Sequence, residues 1–573
     1  MMAGGRDIGA LLLEKEEVTP EQLEMARRRS RRQRIPLVRA LTELNLVSEE
    51  AAYRASARFH GLEFVEPEKM QVDRSVLDLV PVKMVLHYRL APVRFENGVV
   101  TLAFSEPPDL SEMGNLRLLI GYRIRTVLAA PSGIHAFVKR NYGLGAETIQ
   151  HLRQEESLAD FNQEITFDVD ASEGAGELDA SISRFVNQIL MEALRLGATD
   201  VHIEPYAESI RLRYRIDGVL QTIPVPPGLR QIYPTIISRL KVMADLNITE
   251  KRIPHDGRIS MKTGSDAYDL RVSIIPTTFG EGVCLRILGR ENMFMELEQL
   301  GMEEEQRRIV EELTGLPQGM VLLTGPTGSG KTTTLYAMLA HANDEGRKIV
   351  TIENPIEYKL EGVSQIQIRP EVGLTFSSCL RSVLRHDPDV ILIGEIRDQE
   401  TAEIAVRSAQ TGHLVFSTLH TNDSVSAVTR LLEMGIEPFL IGSTLVCSIA
   451  QRLARRICRH CRREETDVPD SIREEMVSAL GIKPEEVRAW TGAGCVECND
   501  LGYRGRVALY EFFILDEAIM DALDPGVKTG ELRRMARKGG WRSLREQGWK
   551  KVLDGTISME ENQRLTHRLQ IRY

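Results

Sequence analysis

Residues 325–332 read Gly-Pro-Thr-Gly-Ser-Gly-Lys-Thr, a spacing suited to holding phosphate. Glycines let backbone N–H groups turn inward around an anion, and a helix starting there adds partial positive charge at its N-terminus. The flanks agree, because residues 320–324 form an apolar run of strand length and residues 333–339 read as the first turns of a helix. Gly325, Pro326, Thr327, Gly328, Ser329, Gly330, Lys331 and Thr332 are therefore expected to cradle a nucleoside triphosphate. Lys331 would reach the β- and γ-phosphates, and the Thr332 hydroxyl would coordinate Mg²⁺.

Three further apolar runs end in groups that act on phosphates. Residues 348–352 lead to Glu353, residues 390–394 to Glu395 and residues 414–419 to His420. If these runs lie parallel to the strand before the glycine loop, all three groups project toward the phosphates. A carboxylate there orders Mg²⁺ through water or orients the attacking water, and a histidine senses the γ-phosphate. Near the loop this segment offers no clearly placed second cation besides Lys331. A second chemistry stands apart from the first. Cys458 and Cys461 form one Cys-x2-Cys pair, and Cys495 and Cys498 form another 33 residues on. Four soft thiolates suit a closed tetrahedral Zn²⁺ site, with Arg455, Arg456, Arg459, Arg462 and Arg463 placed to offset its negative charge. The segment between the pairs has little core of its own. Cys284, Cys379 and Cys447 are expected in apolar interiors.

The elements that must position these groups are legible as blocks. At 573 residues the chain exceeds a single core, and roughly three to five domains are expected. Residues 1–150 alternate helical and strand-like patterns, and residues 8–18 and 37–47 look like two copies of one unit about 29 residues apart. Residues 151–180 hold nine carboxylates and end without apolar periodicity, which predicts a flexible acidic linker. From 181 to about 290 a helix is followed by strand-like stretches, and alternation over residues 210–215 places Arg211, Arg213 and Arg215 on one strand face. From about 291 the repeating strand–helix order predicts an α/β domain with a mostly parallel sheet and a ligand at the C-terminal ends of its strands. It carries the cysteine module at about 455–500 and a helical tail with Trp541 and Trp549. No run of about 18 apolar residues is present, so no membrane-spanning helix is expected. Seven cysteines that include two Cys-x2-Cys pairs suit a reducing compartment and a metal better than disulfides, and a cytoplasmic location is expected. A net charge of −10 and 5% aromatic residues argue against a nucleic-acid motor, which needs a basic channel with stacking platforms.

The segments Glu353-Asn-Pro-Ile-Glu357, 387–397 and 411–423 resemble the Asp box, Walker B and His box of the secretion ATPase superfamily. Over about residues 180–560 the chain resembles the motor ATPases of type II secretion and type IV pilus assembly. The resemblance implies a RecA-like P-loop domain, a preceding PAS-like α+β domain and an N-terminal docking module. It also implies a homo-hexameric ring that hydrolyses ATP with Mg²⁺ at the cytoplasmic face of the inner membrane, docked on platform proteins. In that family arginines of the domain before the motor reach the nucleotide; Arg213, Arg215, Arg230 and Arg239 are the candidates here, with Arg213 and Arg215 preferred. Asn354 stands where the family commonly has Asp, so the base role is assigned to Glu353. In some relatives the N-terminal module binds cyclic di-GMP through paired Arg-Leu-Gly-type motifs. The second copy here reads Pro36-Leu37-Val38, so a protein-docking role is favoured over cyclic di-GMP binding.

Overall fold

The structure, a computed structural model, describes residues 8–142, 165–167 and 177–566, apart from 15, 16, 34, 45, 227, 264, 265 and 290–294. The chain divides into two compact units, Met1–Leu288 and Gly289–Tyr573.

In the second unit, seven strands form one sheet in the order Val363–Gln367, Ile349–Glu353, Val390–Ile393, Leu414–Leu419, Gly319–Thr324, Leu445–Ile457, Tyr503–Ile514. Every neighbouring pair is parallel except the last. The four strands Gly319–Thr324, Ile349–Glu353, Val390–Ile393 and Leu414–Leu419 are buried along their whole length. Such continuous apolar runs are what a sheet covered on both faces requires. Two apolar clusters cover it. Leu335, Tyr336 and Met338 pack on one side, and Leu380, Val406 and Leu431 belong to the other cluster. Parallel register aligns Thr324 with Leu419 and Ile393 with both Ile352 and Ser417. The chain therefore leaves these strands at one common edge.

After the sheet, helices Glu517–Asp521, Thr529–Lys538, Leu544–Leu553 and Met559–Thr566 complete the unit. The segment between the cysteine pairs differs from expectation. Its helix Asp470–Leu480 contributes Ile472 and Met476, joined by Val487 and Ala489, to a cluster with Leu544, Trp549, Val552 and Ile557. Trp549 is fully buried there and its indole N–H donates to Glu475 at 3.0 Å. The segment thus shares a core with the C-terminal helices, a long-range pairing that local sequence pattern does not reveal.

The first unit opens with helices Ile8–Glu14, Pro20–Gln33, Leu37–Glu43 and Glu49–Phe59. The repeat is visible in their starts, since 8 and 37, and 20 and 49, each differ by 29 residues. A three-stranded sheet of Ala91–Glu96, Val99–Phe104 and Arg123–Leu128 follows. Further on, a seven-stranded sheet runs in the order Ile165–Phe167, His255–Thr263, Asp266–Thr277, Gly280–Gly289, Ala198–Pro205, Ile210–Ile216, Val219–Ile223. Helices Glu177–Arg195 and Leu229–Met243 share its core. Of the acidic stretch 151–180, Ile165–Phe167 pairs with His255–Thr263 and residues 177–180 begin a helix; the rest lies outside the described residues. Among the described residues no helix is long and apolar enough to cross a membrane.

Candidate nucleotide site and metal centre

The strand Gly319–Thr324 delivers the glycine loop, and the helix Lys331–Ala342 leaves it. Gly325, Gly328 and Gly330 all have positive φ, where a side chain is strained. Space forbids one as well at Gly325, whose Cβ would stand 2.7 Å from Gln451 O and from Ser329 Oγ. Pro326, Thr327, Gly328 and Thr332 are exposed, while Ser329 is buried. Lys331 folds over this loop, its Nζ donating to Gly325 O at 2.8 Å and Pro326 O at 3.1 Å. Burial, with Arg452 nearby and Glu395 opposing, pushes the Lys331 ammonium down to about 8.

Glu395 follows the strand Val390–Ile393, and His420 follows Leu414–Leu419, the strand beside the loop strand. The two meet: His420 Nε2 lies 3.5 Å from Glu395 Oε2, and Arg397 Nε lies 2.6 Å from the same oxygen. A cavity of about 460 Å³ opens beside His420 between Ile396, Arg397, Arg430 and Met434. Glu353 ends the strand Ile349–Glu353, three places from the loop strand in the sheet. It is 3% exposed. Its carboxylate accepts from the Tyr336 hydroxyl, from Thr351 Oγ1 at 2.5 Å and from Gln365 Nε2 at 3.3 Å. Tyr336 belongs to the helix after the glycine loop, so Glu353 is fastened to that helix. The strand-end position of Glu353 predicts a carboxylate projecting toward the phosphates, whereas the side chain is buried and bonded to Tyr336.

The expectation of no second cation near the loop is corrected. Arg452, on the strand Leu445–Ile457, brings an Nη to 3.0 Å from where a Gly325 Cβ would stand. That strand pairs directly with the loop strand, an adjacency across a long sequence separation. Arg452 also lies just before the cysteines, where basic residues invite assignment to the metal.

Arg213 and Arg215 sit in the first unit on Ile210–Ile216, whose alternate residues Ile210, Leu212, Tyr214 and Ile216 are buried. Each already has an acidic neighbour. Arg213 pairs with Glu204 at 2.5 Å, and Arg215 lies 3.6 Å from Asp200. Arg230 donates to Phe279 O at 3.0 Å, and Arg239 Nε is buried without a partner.

The four cysteines converge. Cys458 and Cys495 Sγ are 3.8 Å apart, Cys461 and Cys498 3.8 Å, and Cys495 and Cys498 3.7 Å. A tetrahedron of Zn–S bonds of about 2.3 Å has edges of about 3.8 Å, so the thiols fit that ion. The backbone N–H groups of Cys495 and Gly502 both point at Cys498 Sγ at 3.2 Å, as they would at a thiolate. Arg455 is engaged by Glu561 at 2.9 Å and Arg462 stacks on Trp490, so these two have other work than offsetting the cluster. Cys379 and Cys447 are buried and Cys284 is half-buried.

Taken together, a parallel sheet with a phosphate-type glycine loop, and a carboxylate and histidine at the adjoining strand ends, define a P-loop nucleotide hydrolase. The chain belongs to the type II/IV secretion system protein family, whose model matches residues 176–564; the MshEN domain matches residues 60–148. It is 37% identical to the type IV pilus assembly ATPase PilB of Myxococcus xanthus over 97% of this chain and 98% of that protein. It is 46% identical to type II secretion system protein E of Aeromonas hydrophila over 68% of this chain and 76% of that one. In fold it is similar to the ATPase DotB of Legionella pneumophila, with a TM-score of 0.50 at 22% identity over 67% of this chain and 95% of that structure. The chain is thus a motor ATPase of protein secretion or pilus assembly.

Proposed function

We propose that the chain works as a homo-hexameric ring, peripheral to the cytoplasmic face of the inner membrane, converting ATP hydrolysis into domain movement for type II secretion or type IV pilus assembly. The observation that supports this best is the convergence of Lys331, Glu395 and His420 at one sheet edge, with His420 Nε2 3.5 Å from Glu395 Oε2. In this reading residues 325–332 hold the phosphates and the exposed Thr332 hydroxyl is placed to hold Mg²⁺. Glu395 orients the attacking water and His420 responds to the γ-phosphate. Glu353, fastened to Tyr336, sets the helix that begins with Lys331 and orders water-bound Mg²⁺ from the second row. Arg213 and Arg215 supply positive charge to the transition state, from the same or a neighbouring subunit. Cys458, Cys461, Cys495 and Cys498 hold a structural Zn²⁺ that takes no part in hydrolysis. The N-terminal module, residues 1–150, docks on a platform protein. Its cleft between the first and fourth helices is lined by Glu17 and Glu50 as well as Arg54 and Arg58, a mixed charge better suited to a protein surface than to the dianionic cyclic di-GMP. Steady-state hydrolysis and nucleotide binding test the site. Lys331→Ala should lose both, and Glu395→Gln should bind ATP yet turn over at least 100-fold more slowly. Wild-type turnover by Glu395→Gln would refute the assignment of Glu395.

A further inference from the structure

The strand Leu445–Ile457 lies beside Gly319–Thr324, the strand that delivers the glycine loop (the Walker strand and Walker loop), on the side away from Leu414–Leu419, and it brings Gln451 and Arg452 against that loop. A Cβ on Gly330 would stand 2.8 Å from Gln451 Nε2, and one on Gly325 3.0 Å from Arg452 Nη1. Arg452 donates to Gln451 O at 3.2 Å and to Asn422 O at 3.1 Å. One guanidinium therefore touches the Walker strand's neighbour and the loop that follows His420.

Both acceptors are neutral carbonyls. Among the described residues no carboxylate forms an ion pair with Arg452. The acids close enough to influence it are bonded elsewhere: Asp423 to Arg533 and to the Ser426 N–H, Glu511 to Ser424 and to the Leu544 N–H. Burial pulls Arg452 below the ordinary guanidinium range, with Glu511 and Asp423 opposing. Two cations, Arg452 and Lys331, thus lie close enough to act on one another, both partly withdrawn from water, with Glu395 opposing at the lysine and Glu511 and Asp423 at the arginine. A guanidinium carries five N–H donors, and two carbonyls do not use them up. Beside the guanidinium stand Ser329 Oγ of the glycine loop and Gln451 Oε1 of its own strand, each buried without a partner. Like charges in a half-dry site repel unless an anion is shared between them.

We propose that Arg452 is a further nucleotide-binding residue, which shares the phosphate charge with Lys331 from the strand Leu445–Ile457. This rests on the reading of residues 325–332 as the ATP site. Because the same guanidinium holds Asn422 O, the loop after His420 is then drawn into register with an occupied Walker loop.

The test is equilibrium binding of ATP–Mg²⁺ to the full chain over a range of ionic strengths, for wild type, R452K, R452Q and K331A. Loss of a charge-assisted contact predicts about tenfold weaker binding by R452Q at low salt. It also predicts a flatter salt dependence, because one screened attraction has gone. R452K, which keeps the charge and loses the fork, should restore the wild-type salt slope and most of the affinity. Wild-type affinity and slope in R452Q would overturn the proposal, and the ATP site would still stand if K331A lost binding. Equal loss in R452K and R452Q with an unchanged slope would also overturn it, since that pattern marks a merely structural link to Asn422. If R452Q does not fold, R452K decides alone: a retained salt slope supports charge sharing, and a flattened one refutes it. A wild-type chain that binds no ATP overturns the ATP site and this proposal together.

Discussion

Lys331, proposed to hold the phosphates, is the residue on which most of the proposed chemistry turns, and its environment gives it a measurable signature. Lys331 is held down to about 8, chiefly by burial, with Arg452 adding to the shift. ATP binds the charged form, so binding raises this pKa and takes up a proton wherever the free lysine is partly neutral. The sign follows directly. Affinity is full below about pH 8 and falls as pH rises through 8, approaching tenfold per pH unit until the pKa of the bound state is reached. Titration of ATP affinity between pH 7 and 9.5 checks this, with Lys331→Arg as the control. An arginine stays charged throughout, so its affinity should be flat over that range; a flat wild-type profile would contradict the depressed lysine. At this scale the sequence announces residues whose spacing is itself chemical, such as the glycine loop and the cysteine pairs. It does not announce the burial of Glu353 behind Tyr336 or the arrival of Arg452, because those depend on which strands become neighbours.

Elements explain that difference. Parallel strands buried on both faces must be continuous apolar runs, and residues 320–324, 390–393 and 414–419 could be read as such from composition alone. Their order in the sheet is a tertiary fact, and it decides that Leu445–Ile457 rather than Ile349–Glu353 borders the Walker strand. The cysteine module shows the same limit. Its ligand spacing was legible, whereas its core was not, since Ile472 and Met476 find Trp549 and Val552 from a distant helix. That shared core changes what loss of metal should do. A free-standing knuckle would unfold without Zn²⁺, but here the apolar cluster should keep the helix Asp470–Leu480 in place and confine the damage to the loops around Cys458–Cys461 and Cys495–Cys498. Elemental analysis should find one Zn²⁺ per chain. Cys458→Ser should lower thermal stability by about 2–4 kcal/mol, in the range of other lost structural cross-links, and leave ATP affinity within about twofold of wild type. Protein purified without chelators that contains no zinc would refute the site.

For the whole molecule the question is where the charge that develops during hydrolysis is met. Lys331 and Arg452, proposed to hold bound phosphate, belong to the Gly289–Tyr573 unit, whereas Arg213 and Arg215 belong to Met1–Leu288. On their strand they are held by Glu204 and Asp200, acids that orient a guanidinium and leave part of its donor fork unused. If these arginines complete the site, ATP draws one unit of a chain onto the motor unit of the same or the next chain. The chemical step then becomes rigid-body movement. A site shared between chains has a kinetic consequence that a self-contained site lacks. Specific activity should rise with protein concentration as rings assemble. Arg213→Ala or Arg215→Ala should lower turnover by about 10-fold or more while ATP affinity changes little, because the contact is made in the transition state. Mixing either variant with Lys331→Ala chains should raise activity above the sum of the two measured separately, since some interfaces would then pair an intact loop with an intact arginine. Concentration-independent turnover by a monomer, together with no recovery in the mixture, would place the whole reaction within one chain. It would also remove the physical reason for a ring.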